Sequence, residues 1–187
     1  MYGGLFACDV HVRFPLYKLR HVCHIDPVPN AAFSKNVLTG NAGEHYVCAE
    51  LVSRGLIAVS APRNNPEIDV VVASQDGSRY ASIQVKAMGH NNQQGWKLNQ
   101  SICNKVGSDQ LFVVLVKLNG AGRMPDYYIF LRDELADLVN EVFTKYMASP
   151  KKKGGNKKDP GFRWLDLKDY PDLLAKRKNN WDLLGLW

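Results

Sequence analysis

The sequence predicts an α/β fold, on the border of α+β, with elements in the order α-β-β-β-(short α)-β-β-α. Three observations carry that prediction. Apolar residues recur at helical spacing over residues 39–54. Two segments rich in β-branched residues, 68–73 and 80–85, flank Asp76-Gly77, a dipeptide suited to the positive φ of a two-residue hairpin turn. Residues 111–118 are nearly all apolar, as in a central strand buried on both faces.

Residues 1–38 contain Gly3-Gly4, Pro15, Pro27 and Pro29, which break any long helix. They lack the basic, apolar, small-residue order of a secretory signal and read as an extension outside the main fold. Residues 39–187 read as one domain. In its first helix, at about 100° per residue, Val47, Cys48, Leu51 and Val52 all fall within about 80° of Glu44. Glu44 thus projects from an apolar arc, where a solvated glutamate does not belong; the alternative is a carboxylate complementing the helix dipole. Gly55 suits the position that ends the helix. A short buried strand is predicted at 56–60 and a loop at 61–66. Residues 88–109 are polar and irregular, with a short extended piece at 96–98 and a short helix at 101–106. A strand at 127–131 follows the Pro125-Asp126 turn, then an amphipathic helix at 133–147 with Asp133 as N-cap. The lysine- and glycine-rich stretch 151–160 reads as a loop. The tail 161–187 carries Trp164, Tyr170, Trp181 and Trp187, aromatics expected to cap the core, and a helix near 171–178.

The totals narrow the function classes. A chain of 187 residues with 45% hydrophobic and 22% charged residues suits a soluble globular domain. A net charge of +6 permits a polyanionic partner without requiring one. No apolar run approaches the ~20 residues of a membrane helix. The four cysteines (Cys8, Cys23, Cys48, Cys103) form no CxxC pair, which points to reduced thiols in the cytoplasm and away from a zinc site. His21, Cys23 and His24 stand close together but lack a fourth ligand at finger-like spacing.

The hairpin carries the chemistry. With Asp76 and Gly77 as its turn, Asp69 lies opposite Gln84, Cβ atoms ~5 Å apart. Lys86, two residues on, shares their face. Hard cations such as Mg²⁺ take carboxylate, amide and main-chain oxygens and keep several waters. Asp69, the Gln84 amide oxygen and the Val85 carbonyl could supply such oxygens, with Glu44 adding a second carboxylate if its helix packs on this face. Lys86 could orient or deprotonate a water, or stabilise charge on a phosphate. These parts suit metal-assisted hydrolysis of a phosphodiester.

The order GNAGEHYVCAELVSRGL, then NNPEIDVVV, then SIQVKA resembles the PD-(D/E)XK nuclease superfamily, which includes restriction endonucleases and Holliday-junction resolvases. It is similar to the variants in which glutamine replaces the first acid of the (D/E)XK element. The resemblance spans about residues 39–131 and is specific over 43–86. It implies a restriction-endonuclease-like core, a mixed central sheet of four to five strands flanked by helices. It implies a Mg²⁺-dependent endonuclease acting on DNA, with Mn²⁺ as a substitute and RNA as the second choice of substrate. Glu44, Asp69, Gln84 and Lys86 match the family's acidic helix residue, metal-binding aspartate and Q-x-K pair; Glu44, Asp69, Gln84 and Val85 would hold the metal. Arg63, Asn64, Asn65, Lys151, Lys152 and Lys153 are candidates to hold phosphates, as is the loop at 88–95. The family is compatible with a homodimer, though no residue pattern marks a dimer surface. This sequence departs from the pattern in three ways: Pro-Asp is stretched to Pro66-Glu67-Ile68-Asp69, the helix after the Q-x-K strand is weak, and Gln84 carries no negative charge. The alternative is a catalytically inactive domain of this type that binds nucleic acid or a protein partner.

Overall fold

The computed structural model describes residues 34–62, 65–150, 157–166 and 169–187. Most of the expected extension at 1–38, with Arg63, Asn64, Lys151, Lys152 and Lys153, lies outside those residues.

Helix α1 (Lys35–Ser53) starts four residues earlier than its apolar pattern predicts, because Ser34 caps it: the Ser34 Oγ accepts from the Val37 amide at 3.4 Å. Its end is a Schellman motif. Gly55, at φ +84°, donates to the Val52 carbonyl, and Leu56 donates to that of Leu51. The strands β1 (Ile57–Ser60), β2 (Val70–Ala73), β3 (Tyr80–Met88), β5 (Leu111–Lys117) and β6 (Asp126–Leu131) form one mixed sheet in the order β1-β2-β3-β5-β6. All neighbours are antiparallel except β3 and β5, which are parallel. The expected α/β class, with its mixed five-stranded sheet, is therefore what the chain forms. β1 is not the buried strand expected: it is an edge strand, with Ile57 and Val59 more than half exposed.

Two layers of core flank the sheet. On one face Val47 and Leu51 of α1 pack on Val70, Val72, Ala81, Ile83, Val85, Phe112 and Val114. On the other face helix α2 (Arg132–Ala148) packs Leu135, Leu138 and Val139 against Val113, Leu115 and Phe130. Asp133 is not the N-cap of α2. It lies in the first turn and accepts from the amides of Val106 (2.8 Å) and Gly107 (2.9 Å), so it ties the preceding loop to the helix.

The polar stretch expected between 88 and 109 contains β4 (Trp96–Asn99) and a 3-10 turn at Gln100–Cys103. β4 pairs antiparallel with β7 (Phe162–Leu165), a strand unforeseen in the tail, as a separate two-stranded ribbon. Helix α3 (Pro171–Arg177) and a final 3-10 turn at Trp181–Leu184 close the chain against the sheet.

The hairpin turn differs from the two-residue form. Ser74 and Arg79 close a four-residue loop: the Ser74 amide donates to Arg79, and Gly77 (φ +71°) donates to Ser74. Asp76 stabilises the loop by accepting from the Ser74 and Ser78 hydroxyls and the Ser78 amide, bonds that lower its carboxyl to about 2. A four-residue loop centred on the same pair keeps the same strand register, and Val70 duly lies opposite Ile83.

Candidate metal and phosphodiester site

The regular pairing of β2 with β3 ends one residue short of Asp69. Val70 faces Ile83, yet the Asp69 amide also donates to the Ile83 carbonyl, at 2.9 Å. Two residues of β2 thus oppose one of β3, the arrangement of a β-bulge, which re-aims the side chain of the extra residue. Asp69 consequently does not pair side by side with Gln84. Its Oδ2 accepts from the Val85 amide at 2.7 Å, taking the place of a strand partner.

Beyond this bulge β2 peels away from β3. The amides of Glu67 and Ile68, one of which a longer strand would turn toward β3, are both held by the Asn65 Oδ1, at 3.0 and 3.1 Å. Asn65 therefore shapes the turn that opens a notch along the edge of β3. Main-chain groups alternate along a strand. The Ile83 carbonyl and Val85 amide both face β2, so the Val85 carbonyl faces the notch as well.

Helix α1 closes the notch from one side, and a glycine sets its distance. A Cβ on Gly43 would stand 2.6 Å from the Ala87 Cβ and 3.4 Å from Val85 Cγ1, so only glycine permits this approach to β3. The next residue, Glu44, reaches a cleft of about 190 Å³ lined by Asn41, Ala61, Pro62, Ile68 and Asp69. The two acids singled out from the sequence thus share one cleft, beside the Val85 main chain.

Gln84 and Lys86 stand differently. Val85 and Ile83 face the α1 core, so strand alternation sends Gln84 and Lys86 to the opposite face. The single-face patch of four side chains expected from the sequence is not formed: α1 holds Glu44 on the face of Ile83 and Val85, the bulge turns Asp69 toward it, and Gln84 and Lys86 stay on the other face. Gln84 is 5% exposed, and its Nε2 donates to the Pro66 carbonyl at 3.0 Å. That bond holds the segment leading into Asp69. Lys86 is half-buried, next to the open edge of β3, and takes part in no ion pair among the described residues.

The donor set fits a hard cation. It offers the Glu44 and Asp69 carboxylates and a main-chain carbonyl, all oxygen, with waters free to complete the shell. Among the described residues no three His, Cys, Asp or Glu side chains converge, so such a site would rest on two acids and neutral oxygens. No described helix is long and apolar enough to cross a membrane.

A mixed α/β sheet with an acid-lined notch at the end of its hairpin defines the chain at the level of fold class. No family model and no curated protein matches the sequence. Among solved structures it is similar to a bacterial homing endonuclease, I-Ssp6803I, at 16% identity, with 75% of this chain and 92% of that one covered and a TM-score of 0.36.

Proposed function

We propose that the chain is a Mg²⁺-dependent endonuclease of the PD-(D/E)XK type that hydrolyses phosphodiester bonds in DNA. The observation that carries this reading is the bulge: it turns Asp69 out of the strand pattern and into one cleft with Glu44. Two carboxylates that line one cleft beside a main-chain carbonyl make an oxygen donor set of the kind a hard cation takes. Glu44, Asp69 and the Val85 carbonyl would hold the Mg²⁺, which supplies charge stabilisation at the phosphate and a more acidic water. Mn²⁺, with similar ligand preferences, would substitute. Gln84 acts as a positioning residue, anchoring Pro66 so that Asp69 enters the notch at a fixed angle. Lys86 is the candidate to stabilise charge building on the phosphate oxygens, which requires its four-carbon stem to reach around the edge of β3 from the opposite face.

The second reading is a catalytically inactive domain that binds nucleic acid, and the Asp69–Val85 bond favours it, since an aspartate holding a main-chain amide also serves the fold alone. One experiment separates the two. Linear, supercoiled and branched DNA are incubated with Mg²⁺ or Mn²⁺, beside Asp69→Asn and Lys86→Ala. Cleavage that both substitutions abolish supports the nuclease; DNA binding with no cleavage in either metal supports the inactive domain.

A further inference from the structure

Beside the notch lies a second cleft, of about 620 Å³, between the start of α1 and the end of β3. Lys35, His90, Asn91, Asn92 and Lys97 line it, and no carboxylate does. Lys35 and Lys97 are exposed, and neither takes part in an ion pair among the described residues. Two lysines and several amides without a neutralising acid complement a polyanion. Helix α1 serves both places: it gives Lys35 and Thr39 to this cleft and Glu44 to the notch. Lys35 and Glu44 are about 14 Å apart along the axis at ~1.5 Å per residue, about four phosphates at B-form spacing.

Trp164 forms the far wall of this cleft and is also part of a third, larger one of about 920 Å³. That third cleft is aromatic. Phe143, Tyr146, Phe162, Trp164 and Tyr170 line it together, every one of them at least partly open to solvent. Trp164 is held in place by its indole N–H, which donates to the Gln94 carbonyl, and by an edge-on contact with Phe162. Asp166 and Asp169 also line it. Cations already lie over four of these rings: Arg163 over Phe143, Lys157 over Tyr146, Lys97 over Phe162 and Lys145 over Tyr170. Trp164 carries none among the described residues, and an unstacked base, unlike one inside a duplex, can reach it.

Resting on the nuclease reading, we infer that the substrate is DNA with at least one unpaired nucleotide, its phosphates in the Lys35–Lys97 cleft and its base against Trp164 in the aromatic one. Pairing alone then discriminates: a bulged, frayed or branched strand can reach both clefts, while an intact duplex reaches only the first.

The test is binding in EDTA, so that cleavage plays no part. A labelled duplex and the same duplex with one bulged 2-aminopurine are titrated with the full chain. Expected are about tenfold tighter binding of the bulged DNA and a change in 2-aminopurine emission. Trp164→Ala removes that preference and Trp164→Phe retains most of it. Lys35→Ala and Lys97→Ala weaken both DNAs alike and each lower the salt slope by about one. Equal affinity for the two DNAs, or a preference that survives Trp164→Ala and Tyr146→Ala together, overturns the inference while leaving the metal site untouched. Failure of the metal site is read separately, by titrating Mg²⁺ into the protein without DNA.

Discussion

At the scale of single residues, the two oxygens of Asp69 can be given separate tasks, and substitution separates them. Asn in its place keeps an oxygen for the Val85 amide but loses the charge. Asp69→Asn is therefore expected to leave the melting temperature within a few degrees while lowering Mg²⁺ affinity at least tenfold by calorimetric titration. Asp69→Ala should lose both, at a cost in stability of about 1–3 kcal/mol. Gln84 gives a sharper contrast. Measured against an acidic family motif, glutamine looks like a missing charge, so Gln84→Glu ought to strengthen the site. Its geometry predicts the reverse. A carboxylate there would face the Pro66 carbonyl, nine-tenths buried, without a donor. Gln84→Glu should destabilise by about 1–3 kcal/mol in urea unfolding and gain no Mg²⁺ affinity. The sequence singles out Glu44, Asp69 and the Q-x-K pair as candidates. Their grouping is not legible in it, since strand alternation assumes an unbroken ladder and a bulge leaves no residue signature here.

At the scale of elements, the candidate site depends on how closely α1 approaches β3. Gly43→Ala puts a Cβ 2.6 Å from that of Ala87, and a methyl in packed backbone surroundings cannot be absorbed by a side-chain swing. The helix must lift, costing about 1–3 kcal/mol, and Glu44 lifts with it. Mg²⁺ affinity should then fall although no ligand has been changed; an unaltered affinity would mean that Glu44 is not a ligand. The helix termini were legible to different degrees for a physical reason. Gly55 is unambiguous because few other residues accept φ +84°. Ser34 stands outside the apolar period, which therefore does not mark it as the cap. Asp133 looked like a cap but serves the loop at 106–107, a contact between segments that local sequence does not encode. Those two amide bonds hold the Asp133 carboxyl below its usual range. A carboxyl depressed in the folded state contributes stability that is present above its unfolded pKa, near 3.9, and lost as pH falls through the lower folded value. Asp133→Asn should thus be less stable than wild type at neutral pH, and the gap should close below about pH 4, as followed by circular dichroism.

At the scale of the whole molecule, the residues from Trp181 to Leu186 are built into the face of the sheet that α1 covers. The aromatic tail was expected to cap the core, and Trp181 does: it is 1% exposed, in the same cluster as Val47 and Leu51 of α1, with its ring 5.1 Å from that of Tyr127. Tyr127 in turn donates its hydroxyl to the Tyr46 carbonyl of α1, at 3.2 Å. Asn179, at φ +53°, exchanges two hydrogen bonds with the Tyr127 main chain, and Arg79 in the hairpin loop donates to the carbonyls of Gly185 and Trp187. The tail therefore reaches α1, β6 and the hairpin, the elements that locate Glu44 and Asp69. Composition alone could suggest the capping, whereas pairing of β4 with β7 across more than sixty residues could not be read from either short segment. Trp181→Ala should cost about 3–5 kcal/mol in denaturant unfolding, the range for emptying a fully buried aromatic site. If the tail also steadies the notch, Mg²⁺ affinity of the folded variant will fall with stability. If it only fills volume, Trp181→Phe will recover most of the stability, and affinity will stay at the wild-type value in both variants.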